Sequence, residues 1–396
     1  MKDTAQLFDY DRASRLMREE GLDVIVASRR FNVAYFTGVT NIVYWEYPDV
    51  AQILEMQEDG CPRADYFAGI PREQSVPPFV VCHRVYEMKR SWITDVRGWC
   101  FQGTKTGAAD ELAAALKERG LQNGVIGIDM DYFPAGRLDE LRKLLPAATF
   151  KPADALIWKL RAMKTPEELR RQRKAFDVAN EVYRTLVKTV KDGMTVNEAR
   201  AIEMSVQIKE GISPQIFGYV MPSHNSTGIK RMPFSRKEDL GELVLKKGDL
   251  IVCDLGVVYR GYTTDFGRML SIGEPDAKTR KAYRVVLDAR AALIEALRPG
   301  MKISELFEIG RNALVKHGCA PDAIVYAGHG IGLECHESPA IVATDHTVIE
   351  EGMTLVIELC PAVDGIWFLL ENTGLVTRDG WQSLTDFPTD ILVAGE

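Results

Sequence analysis

Five residues in the C-terminal half have the types and spacing to hold divalent cations. The stretch "GDLIVCDLGVVYRGYTTDFGRML" reads as a hairpin turning at Tyr259–Arg260, which sets Asp254 opposite Asp265. A second stretch, "GMTLVIELCPAVDGIWFLLENTGLV", carries Asp364–Gly365, a strong two-residue turn signal, and sets Glu358 opposite Glu371. Residues facing across an antiparallel pair stand about 5 Å apart at Cβ, and like charges there destabilise the pair. Here both pairs are flanked by apolar residues such as Ile251, Val252, Val356, Ile357, Leu369 and Leu370. Buried without compensation, such carboxylates would cost several kcal/mol each or take up protons. Divalent cations supply the compensation, and four carboxylates carry enough charge for two of them.

The segment "GHGIGLECHESP", residues 328–339, holds two of the six histidines, His329 and His336. One nitrogen of His329 can complete the carboxylate set. Oxygen-rich sites with a single imidazole suit Mn²⁺, Zn²⁺, Co²⁺ or Fe²⁺ and disfavour soft copper ions. Two ions sharing a water lower its pKa toward neutrality, and the resulting hydroxide can attack a carbonyl. Four unrelated acids at turns and strand ends would explain any one of these residues, but not a duplicated, paired set.

The duplication extends to the elements that must position the site. "KDGMTVNEARAIEMSV" from 191 and "RPGMKISELFEIGRNAL" from 298 share Gly-Met-x-(Val/Ile)-x-Glu at an offset of 107 residues. Each follows a long helix and opens a shorter one, giving a repeated helix–helix–hairpin unit. The first long helix starts at "TPEE", where Thr165 caps, Pro166 takes the first turn and Glu168 completes a capping box. Its apolar positions run from Leu169 to Val190 at helical spacing, and Gly193 is expected to end it.

Residues 1–158 read as a separate α/β domain and 159–396 as the catalytic one. "GLDVIVAS", "PPFVVCHRV" and "GVIGIDMD" suit strands, and "LDELRKLL" a short amphipathic helix. Asp129 and Asp131 read as strand-end turn residues. Residues 40–78 show no period and suggest a long aromatic excursion.

At this point "DLGVVYRGYTTD", "GHGIGLECHESP", "GMTLVIE" and "LLENTGLVT" resemble the metal-site motifs of the pita-bread enzymes. These comprise methionine aminopeptidase, Xaa-Pro dipeptidase and aminopeptidase P, with creatinase as a metal-free relative. The resemblance spans roughly residues 160–390, and the preceding domain resembles the creatinase/prolidase N-terminal domain. It implies a duplicated pita-bread catalytic fold and Asp254, Asp265, His329, Glu358 and Glu371 as metal ligands, with Asp265 and Glu371 bridging. It also implies that His336 faces the substrate, to steady developing charge or move a proton. Glu371 is the natural first acceptor of the water's proton. Resemblance to dimeric creatinase-like enzymes, with Tyr44, Trp45 and Tyr47 in the excursion, predicts a homodimer in which residues 40–78 border the partner's site.

Two places depart from the peptidase pattern. Peptide-cleaving members carry a histidine upstream of the first aspartate, where this chain has Arg231 in "GIKRMPF". At a repeat offset of 105, His224 mirrors His329 and Arg231 mirrors His336. Arg231 either clamps a substrate carboxylate bidentately or lies on a solvated basic loop. In "TTDFGRML" the threonine usual before the arginine is missing, and Arg268 either supports the carboxylates or is a surface strand residue.

The composition is that of a soluble globular protein, 46% hydrophobic and 27% charged. A net charge of −7 gives no reason to expect nucleic-acid or membrane binding. No apolar run approaches the roughly 18 residues of a bilayer span. Seven cysteines without a CxxC argue for a reducing, cytoplasmic setting, with Cys253, Cys335 and Cys360 as inert core thiols. The expected function is metal-dependent hydrolysis of an amide-type C–N bond in a small peptide. The alternative is a small-molecule specialist on the same fold, of the creatinase or ectoine hydrolase kind. A dimethylsulfoniopropionate lyase is disfavoured by Gly256, where those relatives carry aspartate. A non-enzymatic binding module is disfavoured by retention of all five ligands.

Overall fold

The computed structural model describes residues 5–40, 65–82, 88–98, 107–212, 218–224 and 241–395. The chain divides into two units, Met1–Arg161 and Ala162–Glu396.

The first unit is built from α1 (Tyr10–Glu20), β1 (Val24–Ala27), α2 (Arg30–Thr37), β2 (Tyr66–Pro71), β3 (Phe79–Cys82), β4 (Asp95–Gly98), α3 (Ala108–Glu118), β5 (Val125–Ile128), α4 (Ala135–Leu144), β6 (Thr149–Pro152) and α5 (Asp154–Ala162). Its strands form one mixed sheet in the order β4-β3-β2-β1-β5-β6. Most of the expected excursion lies outside the described residues, but its end is a fully buried strand, β2, antiparallel to β1. Gly69 of that strand is a packing requirement: a Cβ there would meet the Phe79 ring at 2.2 Å. Asp129 is wholly buried at the end of β5 and accepts from the Ser28 and Arg29 backbone N–H groups and from Asn32 Nδ2. It thus anchors the start of α2.

The second unit shows the duplication directly. Its first half carries α6 (Pro166–Thr189), α7 (Val196–Lys209), β7 (Gly218–His224), β8 (Leu250–Leu255), β9 (Val258–Tyr259), β10 (Tyr262–Thr263) and β11 (Gly267–Ile272). Its second half carries α8 (Ala277–Ala296), α9 (Ile303–Lys316), β12 (Gly328–Gly330), β13 (Glu337–Ala340), β14 (Thr354–Leu359), β15 (Ala362–Val363), β16 (Ile366–Trp367), β17 (Leu370–Thr377), β18 (Gly380–Ser383) and β19 (Leu392–Ala394). Thr165 caps α6 and Glu168 closes the capping box, as the sequence predicts. The helix ends at Val190 rather than Gly193, which instead turns the chain toward α7 at φ 88°. Gly300 occupies the matching turn at φ 91°.

Two sheets carry the hairpins. One is ordered β19-β11-β8-β7 and the other β13-β12-β14-β17-β18. β8 and β11 form the first hairpin, β14 and β17 the second. The second has the expected register, with Glu358 facing Glu371 across a turn at Asp364 and Gly365, both at positive φ. The first does not. Its turn falls at Arg260 and Gly261, at φ 48° and 84°, so Asp254 faces Gly267 rather than Asp265. A two-residue turn of this kind needs positive φ at both central positions, and Gly261 supplies the second at no steric cost. Displacement by two residues preserves the alternation of faces, and Asp265 still reaches the carboxylate cluster from just before β11.

Candidate metal centre

Asp254 and Asp265 come from the first hairpin, Glu358 and Glu371 from the second, and His329 from β12, which pairs antiparallel with β14. Carboxylate oxygens of Asp254, Asp265 and Glu371 lie within 4.8 Å of one another. Asp265, His329 and His336 form a second such group, so Asp265 belongs to both. His329 Nε2 is 3.0 Å from Asp265 Oδ2 and 3.9 Å from Glu358 Oε2.

The structure therefore brings together all five residues expected to bind metal, with His336 beside them. His336 stacks on His329 with ring centroids 4.1 Å apart and is itself exposed. His224 lies on β7, its backbone paired with Leu250. Arg231 lies outside the described residues.

Several features fit this donor set to divalent cations. Asp254, Asp265, His329 and Glu371 are buried. Asp254 Oδ1, Glu371 Oε2 and His329 Nε2 have no hydrogen-bond partner, which is costly for buried polar atoms. His329 Nδ1 stands 2.8 Å from the Gly330 carbonyl, a contact that needs a proton on Nδ1 and turns Nε2 toward the carboxylates. Burial, with repulsion from Asp265, pushes the Glu358 carboxyl up to about 7 and drives Glu371 well above the usual range. Burial and the Asp265 charge do the same to Asp254. Asp265 is the exception: burial raises it, but His329, Cys335 and His336 together outweigh burial and hold it low. Such a cluster repels itself until positive charge enters it.

Three contributors escaped the sequence reading. Gly267 leaves the space that Glu371 fills, since a Cβ there would stand 2.8 Å from Glu371 Oε2. Tyr326 also stacks on His329, at 5.9 Å between centroids and 15° between planes. Cys335 is only half-buried, and its thiol donates to Asp265 Oδ2 at 3.0 Å, so it is not an inert core residue. The position of Cys335 between Glu334 and His336 was the available signal; the other two had none.

Arg268 differs from both expectations. It is fully buried and donates to backbone carbonyls rather than to carboxylates. Nη1 serves Gly267 and Glu371, Nε serves Pro388, and Nη2 serves Phe387, while the guanidinium lies 4.4 Å from the Phe266 ring centroid. Burial pushes its pKa down to about 10. It clamps the two hairpins to each other.

Residues 170–386 match Metallopeptidase family M24, and residues 10–163 match the Creatinase/Prolidase N-terminal domain. The chain belongs to family M24. It is accordingly a metallopeptidase-type hydrolase that uses divalent metal ions. An M24 relative, the Xaa-Pro dipeptidase of Pyrococcus furiosus, is 32% identical over 246 residues, 61% of this chain and 68% of that one. The Xaa-Pro dipeptidase of Lactobacillus helveticus is 26% identical over 393 residues, 97% of this chain and 98% of that one. The prolidase structure from Pyrococcus horikoshii superposes with a TM-score of 0.74 at 25% identity, covering 96% of this chain and 99% of that one. No helix among the described residues is long and apolar enough to cross a membrane.

Proposed function

We propose that this chain is a dinuclear hydrolase of the Xaa-Pro dipeptidase type, acting on dipeptides or short peptides. The carrying observation is the buried set of carboxylate and imidazole atoms left without partners at the meeting of the two hairpins. In this reading Asp254, Asp265, His329, Glu358 and Glu371 hold two ions drawn from Mn²⁺, Zn²⁺, Co²⁺ or Fe²⁺. Asp265 and Glu371 serve both.

When bound, the ions supply Lewis acidity and an activated water. The chain's own residues do the rest. Glu371 Oε2, unpartnered and buried, accepts the proton of the attacking water. His336, at the exposed side of His329, meets the reacting amide, where it steadies the developing charge on oxygen or relays the proton taken up by Glu371 to the leaving nitrogen. Burial and the neighbouring His329 hold its imidazole below the usual pKa. Arg231 and His224 are the substrate-binding residues of this reading, the Arg231 guanidinium taking a substrate carboxylate. The active form in this reading is a homodimer in which residues 40–78 of one subunit border the active site of the other. A reducing, cytoplasmic setting, expected from seven cysteines without a CxxC, completes this reading.

The test has two parts. Protein purified without chelator and reloaded with Mn²⁺, Co²⁺ or Zn²⁺ approaches two ions per chain by elemental analysis. A panel of Xaa-Pro and other dipeptides is then compared with cyclic and methylated osmolytes. Turnover confined to the osmolytes would replace the peptidase reading with a small-molecule specialist, the alternative that Arg231 in place of histidine favours. Failure to bind any divalent ion would end both.

A further inference from the structure

We infer that Cys335 is a positioning residue of the metal centre, its thiol proton committed to Asp265; the inference rests on the metal-centre reading above. Cys335 Sγ is 3.0 Å from Asp265 Oδ2. The same oxygen is 3.0 Å from His329 Nε2. That nitrogen, Asp254 Oδ1 and Glu371 Oε2 are buried without partners, so the thiol stands at a cluster already aimed at a ligand. The contact is made by the side chain just before His336, on the segment leading into β13. One short stretch of chain therefore supplies both the candidate proton-transfer imidazole and a hold on the carboxylate shared by the two donor groups.

A thiol is a weak donor with a soft, polarisable sulfur. Its contact leaves Asp265 ionised and restricts the rotation of its carboxylate, which a hydrocarbon side chain of similar volume would not. Cys335 is half-buried and forms no disulfide, so part of its surface is open to a small thiol reagent.

Cobalt titration of the full chain tests this, because Co²⁺ reports on its ligand field without turnover. Binding by the unaltered protein is measured first and checks the metal-centre reading by itself. Cys335→Val is then expected to bind Co²⁺ about tenfold more weakly, the lower end of what an outer partner of a ligand contributes, and to shift the visible cobalt bands. Cys335→Ser, which restores a donor, recovers part of both. In the unaltered protein, iodoacetamide labelling of Cys335, located by peptide mass, is slowed when Co²⁺ is bound. This arm decides the matter even if Cys335→Val does not fold. Wild-type affinity and bands in Cys335→Val, or labelling indifferent to Co²⁺, would overturn the role of Cys335 while leaving the metal centre standing. An unaltered protein that binds no Co²⁺ would remove both.

Discussion

Gly267 faces Asp254 across the first hairpin, and the Glu371 carboxylate from the second hairpin occupies the space a side chain at 267 would need. The interlock makes this glycine a matter of room rather than of backbone freedom. A Cβ would also meet Leu369 Cδ2 at 2.7 Å. Gly267→Ala should therefore displace Glu371, cost about 1–3 kcal/mol of stability by overpacking and lower divalent-ion affinity about tenfold or more. Isothermal titration with Mn²⁺ alongside denaturant unfolding checks both numbers. Unchanged ion affinity would mean that Glu371 can be moved without consequence.

The two stacked histidines are expected to fail differently. His329→Ala should lose bound metal, because its Nε2 is buried among the candidate carboxylate ligands and makes no hydrogen bond. His336→Ala should keep its metal and lose most turnover. Elemental analysis and kcat on the same preparations separate these outcomes. Equal loss of metal would make His336 a ligand, which its place in the second donor group with Asp265 and His329 makes a sharp question.

Beneath His336, Glu337 and Lys164 form a buried pair at 3.3 Å, each side chain 1% exposed. Glu337 Oε1 also takes the Glu334 backbone N–H, so the carboxylate ties down the loop that carries His336. Removing one partner strands the other charge. Lys164→Met alone should destabilise the protein by about 3–5 kcal/mol, and adding Glu337→Gln should return part of that loss. Urea midpoints of the two single variants and the double give the coupling. Strict additivity would show that the pair is not an energetic unit.

Glu203 on α7 is buried, and burial pushes its carboxyl up to about 7 from an ordinary 4.5, against the pull of Arg200 and Gln207. The fold thus prefers its protonated form. Its contribution is complete below about pH 4.5 and is lost as pH rises through about 7. A shift of about two and a half pH units corresponds to roughly 3 kcal/mol. Glu203→Gln should therefore match wild type near pH 4.5 and exceed it by up to that amount at pH 8.5. Taking the difference between the two proteins at each pH cancels the titrating groups that do not feel Glu203, leaving its own titration and its effect on Asp254 and Cys253. No widening of the gap with pH would place the charged form of Glu203 in a solvated setting.

What the sequence revealed depended on how local the cause was. The register of the second hairpin was legible because Asp364–Gly365 admits one tight turn. The first was misplaced because "VYRGYT" puts Arg260, not an obvious positive-φ residue, at the first turn position. The start of α6 was legible from the capping box at Thr165. β2 was not, since Gly69 and Pro71 argue for a loop until the Phe79 ring is seen filling the space over the glycine. The four carboxylates could be named because duplication exposes pairing even where one register is wrong, and His329 because of the histidine-bearing segment that resembles the pita-bread motif. The Cys335 contact could not, because it depends on how residues 331–336 fold back across the first hairpin.

Arg268 reaches from the first hairpin to Glu371 in the second and onward to the carbonyls of Phe387 and Pro388. A buried guanidinium deprived of these acceptors would have no comparable resting place. On the ribosome the clamp cannot close until residues 387 and 388 have been synthesised, after the second hairpin itself is complete at Thr377. A nascent chain thus acquires its last candidate ligand, Glu371, shortly before the clamp that holds the hairpins together, and activity should switch on late in synthesis rather than grow with length.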